Sequence, residues 1–118
     1  MTFVGKEASR SEECTTQMEI FKTLGGEIFS EIPEKDDTLV VDAIFGVGLS
    51  REISGRYATI LETMNQLKGI KLAMDIPSGV SAENGQILGI AFRADYTVSM
   101  QWEKLGTVLF PGKDYAGE

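Results

Sequence analysis

The stretch that most constrains this chain is Leu72-Ala73-Met74-Asp75-Ile76-Pro77-Ser78-Gly79-Val80, an apolar run that ends in a carboxylate, a proline, a hydroxyl and a glycine. A buried parallel strand delivers polar groups in this way to the open edge of an α/β sheet, where ligands bind. Thr38 to Phe45 repeats the arrangement: Leu39-Val40-Val41 leads to Asp42, and a glycine-bearing loop follows Phe45. Two strand ends, two aspartates and two such loops point to one site.

The segments between these strands fit an α/β chain. Ser9 with Glu12 has capping-box spacing, and Cys14, Met18 and Phe21, widened by Leu24, make a helical stripe that Gly25-Gly26 ends. Thr2-Phe3-Val4 and the group Ile28, Phe29 and Ile32 suggest short strands, and Pro33-Glu34-Lys35-Asp36-Asp37 a polar loop. Ser54 is placed to cap a second helix, whose face is Tyr57, Ile60, Leu61, Met64 and Leu67 before a stop at Gly69. Strand, helix and strand from 38 to 75 read as a crossover unit of a parallel sheet. Glu83-Asn84-Gly85-Gln86 signals a hairpin or loop, Ala94–Met100 a further strand, and Val108-Leu109-Phe110 a short apolar piece broken by Pro111-Gly112. The predicted architecture is a three-layer α/β/α arrangement around a mainly parallel sheet. No element is predicted for the tail to Glu118.

Composition removes several kinds of chemistry. The chain has 118 residues, one domain at most, and no histidine, so Ser-His-Asp and Cys-His catalysis and the commonest zinc ligand are absent. The single cysteine, Cys14, cannot form an internal disulfide and reads as a core residue. A net charge of −7 argues against a nucleic-acid partner. No apolar run reaches the ~20 residues of a membrane span, and no signal peptide opens the chain. A cytoplasmic protein that uses no membrane is expected.

Each polar feature admits two readings. Gly46-Val47-Gly48-Leu49-Ser50-Arg51 falls short of a dinucleotide fingerprint, because Arg51 stands at the third glycine position. Read as pattern alone it is a flexible connection. Its glycines would nevertheless let a ligand approach the backbone, and Arg51 suits a phosphate. Asp42 is either a structural carboxylate capping a backbone amide or a ligand for a hard cation. Asp75 and Ser78 pose the same choice between a turn and a catalytic carboxylate beside a hydroxyl; the strand-end position of Asp75 favours function. Asp95 and Thr97 read as capping or lining a strand, Lys104 as a solvated loop lysine in preference to a partner of an acidic site, and Trp102, Met64 and Met74 as packing.

Taken together, Val41-Asp42-Ala43-Ile44-Phe45-Gly46-Val47-Gly48-Leu49-Ser50-Arg51, Asp75-Ile76-Pro77-Ser78-Gly79 and Lys104-Leu105-Gly106 resemble the YjeF N-terminal domain, the NAD(P)H-hydrate (NAD(P)HX) epimerase family, in order and spacing. The resemblance covers essentially the whole chain. It implies a Rossmann-like fold, a homodimer, and interconversion of the R and S forms of hydrated NADH and NADPH. An S-specific dehydratase, fused or separate, then restores the cofactor. It also implies a bound potassium ion (K+) held by Asp42 and Ser78. The cofactor-binding loop would be Gly46, Val47, Gly48, Leu49, Ser50, Arg51 and Glu52, with Asp75 contacting the hydrated nicotinamide as the catalytic acid–base group.

The family also carries an upstream Asn-Asn-Gly-Gly-Asp-Gly loop for phosphate and potassium, and a last strand, neither of which is found here. Residues 1–118 therefore read as a partial domain trimmed at both ends. Impaired activity is expected, with an exposed sheet edge as an association surface. The alternative is a non-catalytic binding module, as in scaffolds of RNA decapping and an apolipoprotein-binding protein of similar fold. A kinase is disfavoured, since no Walker pattern is present.

Overall fold

The computed structural model describes residues 1–33 and 39–118, and the chain forms two compact units, Met1–Glu34 and Lys35–Glu118. The expected polar loop at 34–37, and Thr38 as the start of a strand, lie outside the described residues.

In the first unit, α1 spans Glu12–Thr23. Its cap is Ser11 rather than Ser9: the Ser11 hydroxyl accepts from the Cys14 N–H at 3.2 Å. Ser9 is drawn into a preceding 3-10 turn, where its N–H and hydroxyl both donate to the Lys6 carbonyl. The helix ends as Gly25-Gly26 predicts. Gly25 donates to Lys22 and Gly26 to Phe21, with Gly25 at a φ of 84°. The stripe is narrower than expected. Met18 is buried, Cys14 and Phe21 are half-buried, and Leu24 is 81% exposed. The two suggested strands reduce to one parallel bridge between Thr2 and Phe29.

The second unit holds a parallel sheet in the order β1-β2-β3, with β1 at Leu39–Asp42, β2 at Ile70–Met74 and β3 at Tyr96–Val98. Asp42 pairs with Ala73, and Met74 with Val98, so the three carboxyl ends share one edge. Strand β1 stops short of Phe45 because Asp42 Oδ1 accepts from the Ile44 N–H at 3.2 Å, turning the backbone off the ladder. β3 is shorter than Ala94–Met100 because the Met100 N–H is taken by the Asp75 carboxylate and the Ala94 N–H by Tyr115. Asp95 and Thr97 line the strand as expected: Asp95 accepts from the Lys71 N–H, and the Thr97 hydroxyl donates to Ala116.

Between β1 and β2 runs α2, Arg56–Gln66, burying Leu61 and Met64. Its N-cap is Gly55 at a φ of 57°, and no side chain caps it. Ser54 precedes the cap by one residue, too early for its hydroxyl to meet the first free amides.

The strands are less buried than an apolar run suggests. Val40, Asp42 and Ala73 are buried, while Leu39, Val41, Ile70, Tyr96 and Val98 are exposed, and in β1 burial follows the strand period of two. Beyond β2, Ile76, Val80 and Ala91 form a core cluster beneath the loop signalled by Asn84-Gly85. Val80 pairs antiparallel with Ile87 there.

The C-terminal part corrects three expectations. Val108 belongs to a short helix, α3 at Leu105–Val108, with Leu109 and Phe110 exposed after it. The tail forms α4, Lys113–Ala116, and Glu118 then lies along β3, accepting from the Thr97 N–H and donating to Asp95. Trp102 is 82% exposed rather than packed in the core.

Candidate functional site

Asp42 and Ser78 meet at the carboxyl edge of the sheet. The Ser78 N–H donates to Asp42 Oδ2 at 2.7 Å and its hydroxyl to Oδ1 at 2.7 Å. The Phe45 N–H donates to the Ser78 hydroxyl oxygen at 2.9 Å, tying the loop after β1 to the turn after β2. Both side chains are buried, at 1% exposure each. Burial pushes the Asp42 carboxyl above the ordinary aspartate value, and the donors from Ser78 and Ile44 offset part of that rise. The capping reading of Asp42 is therefore realised.

The donor set does not use every acceptor position of Asp42. The carboxylate has about four acceptor positions, and the protein occupies two on Oδ1 and one on Oδ2. Carboxylate and hydroxyl oxygens suit a hard ion. Among the described residues, no three His, Cys, Asp or Glu side chains converge as a metal cluster.

Asp75 sits just past β2 at a φ of 72°, in the left-handed region uncommon outside glycine. Its N–H donates to Val98 at 2.8 Å, and its Oδ1 accepts from the Met100 N–H at 2.9 Å. The same Oδ1 is paired with the Lys104 ammonium, which also donates to the Met100 carbonyl at 2.7 Å. That hydrogen bond, with the charge behind it, holds the Asp75 carboxyl below the ordinary aspartate value. The other oxygen, Oδ2, faces the loop after β1: a Cβ built on Gly46 would lie 4.0 Å from it.

Lys104 is thus no solvated loop lysine. Its side chain is 17% exposed, and its partner's is 20%. The separation of 29 residues hid the pair from any local pattern, although the Lys104-Leu105-Gly106 motif was its available signal.

The loop divides in two. Leu49, Arg51 and Glu52, with Phe45, Ile53, Ser54 and Tyr57, line a shallow cavity of about 170 Å³. Phe45 and Tyr57 meet edge to face across it, with ring centroids 5.0 Å apart. Val47, Gly48 and Ser50 are exposed and lie outside the lining of this cavity.

The sequence profile described as YjeF-related protein N-terminus matches residues 1–106. The chain belongs to the YjeF_N family. Its parallel sheet flanked by helices is the Rossmann-like α/β fold of that family. The chain is 48% identical over 80 residues to the bifunctional NAD(P)H-hydrate repair enzyme Nnr of Thermofilum pendens, covering 68% of this chain and 15% of that protein. It is 36% identical over 115 residues to the NAD(P)H-hydrate epimerase of Limosilactobacillus fermentum, covering 97% of this chain and 55% of the relative. The epimerase of Oenococcus oeni matches with the same identity and the same coverage. The chain thus spans about half the length of these two epimerases.

Proposed function

We propose that this YjeF_N chain takes part in the epimerisation of the R and S forms of hydrated NADH and NADPH, a repair step for nicotinamide cofactors. The observation that carries this reading is Asp75. One of its oxygens is anchored, and the other is turned toward the glycine loop. Inverting a hydroxyl-bearing carbon requires a group that exchanges protons at that centre or assists loss and return of its hydroxyl. A positioned carboxylate can serve either route, by taking and returning the proton or by protonating the departing hydroxyl and deprotonating the returning water. The names of the relatives support the same substrate.

Loop residues Gly46 to Glu52 bind the dinucleotide in this reading, with Arg51 toward phosphate. Asp42 and Ser78 hold a potassium ion, whose charge would offset the burial of the Asp42 carboxylate. Residues 1–118 act as part of the epimerase domain, within a cytoplasmic homodimer. A dehydratase, fused or separate, completes the repair; the bifunctional relatives support a fusion. Among the described residues, no helix is long and apolar enough to cross a membrane. The family's phosphate loop is not among these residues, so turnover by this chain alone is expected to be low.

The test is epimerisation of R-NADHX by the purified chain, coupled to an S-specific dehydratase, with and without potassium and with Asp75→Asn as control. Slow, potassium-dependent turnover lost in the variant supports the proposal. A folded chain that neither turns over nor binds NADHX overturns it.

A further inference from the structure

We propose that Lys104 is the positioning residue of this site: by anchoring one oxygen of Asp75 it presents the other, Oδ2, toward the loop at residues 46–52. The proposal deepens the epimerase reading and rests on Asp75 being its acid–base group.

The placement of Lys104 is built in, since three contacts hold its segment. Gly106 is buried against the turn after β2, and its N–H donates to the Ala82 carbonyl at 3.0 Å. A Cβ at Gly106 would lie 2.0 Å from the Ser81 carbonyl oxygen, so only glycine lets the segment come this close. The Thr107 hydroxyl and N–H both close on the Lys104 carbonyl, at 2.8 and 3.0 Å. With its backbone fixed, the ammonium reaches two acceptors at once, Asp75 Oδ1 and the Met100 carbonyl. The spacing Lys-x-Gly thus works as a unit in which the glycine docks and the lysine reaches.

Asp75 needs such an anchor. Its backbone lies in the left-handed region, and three bonds restrain it there: its own N–H to Val98, and the Met100 N–H and Lys104 ammonium on Oδ1. Among the described residues, Oδ2 accepts no hydrogen bond. Lys104 is the charged group in contact with Asp75 there. Arg51 and Glu52, on the loop opposite, line the neighbouring cavity, and Glu103, beside Lys104, is exposed. Without Lys104 the side chain would keep one anchor, and the carboxylate would lose the cation that keeps it ionised.

The experiment follows the Asp75 carboxyl by carbon-13 NMR titration in the full chain, as wild type, Lys104→Met and Lys104→Arg. The coupled R-NADHX assay is run on each. In Lys104→Met the Asp75 midpoint should rise, and kcat should fall by about tenfold or more with KM changed by less than about threefold. Lys104→Arg, which restores a cation, should return the midpoint and most of the rate. In the wild type, the nitrogen-15 resonance of the Lys104 ammonium should follow the Asp75 midpoint, a readout that needs no variant to fold. An Asp75 midpoint unchanged in Lys104→Met, or a Lys104 resonance blind to the Asp75 titration, overturns the proposal. A wild type that shows the coupled titration but neither turns over nor binds NADHX would defeat the epimerase reading and leave the positioning role standing.

Discussion

Ser78 gives both its backbone N–H and its hydroxyl to Asp42, at 2.7 Å each, across 36 residues of sequence. These two hydrogen bonds onto the buried Asp42 carboxylate are the clasp of the sheet's carboxyl edge. Ser78→Ala keeps the N–H donor and removes the hydroxyl, leaving Asp42 Oδ1 with the Ile44 N–H alone. The loss should be about 1–3 kcal/mol of stability, measured by urea unfolding.

Potassium should act through the same clasp. If Asp42 and Ser78 hold the ion, potassium at about 100 times its dissociation constant adds about 2.7 kcal/mol to the folded state. Thermal unfolding in potassium chloride should then exceed that in lithium chloride of equal ionic strength, and Ser78→Ala should erase the difference. Equal melting temperatures in the two salts would remove the ion from the site.

Asp75 makes stability depend on pH with a definite sign. Its carboxyl is held below its unfolded value by Lys104, so the folded state binds that proton less tightly than the unfolded chain. The stabilisation is complete above the ordinary aspartate range and is lost as pH falls through the lowered folded value. Wild type should exceed Asp75→Asn by about 1 kcal/mol at neutral pH, a small gain because the pair is partly solvated. The two unfolding curves should converge in acid. Asp42 has the opposite sign: burial raises its pKa, so ionising it subtracts stability as pH rises through the raised value.

Two glycines separate folding from ligand approach. Gly79 has a φ of 94°, and a Cβ there would lie 1.9 Å from the Ile90 carbonyl oxygen. Gly79→Ala should cost about 3 kcal/mol or more. Gly48 has nothing within 4 Å of its would-be Cβ, so Gly48→Ala should change stability by no more than about 0.5 kcal/mol. If the loop receives the dinucleotide backbone to backbone, the same change should weaken NADHX binding, measured by calorimetry. Unchanged binding would make the loop a plain connection.

The parts of the fold with local signals were legible from the residues alone. Strand β2 appears over Ile70–Met74 as its apolar run predicts, α2 buries Leu61 and Met64 from its helical period, and Gly25-Gly26 closes α1. The meeting of Asp42 with Ser78 was also legible, because two strand ends of one parallel sheet must share an edge. Element ends were less so. Ser11 rather than Ser9 caps α1, and Gly55 rather than Ser54 opens α2, since a cap depends on where the backbone turns and not on which hydroxyl is near.

Only the tertiary structure decided the state of Asp75. Its backbone sits in the left-handed region, its Oδ1 is bound by Met100 and Lys104, and its Oδ2 is turned to the loop. The physical reason is that charge pairing acts through space. A lysine in an exposed loop looks solvated until Gly106, with no Cβ to hold it off, packs against Ser81 and brings the ammonium to a carboxylate 29 residues away.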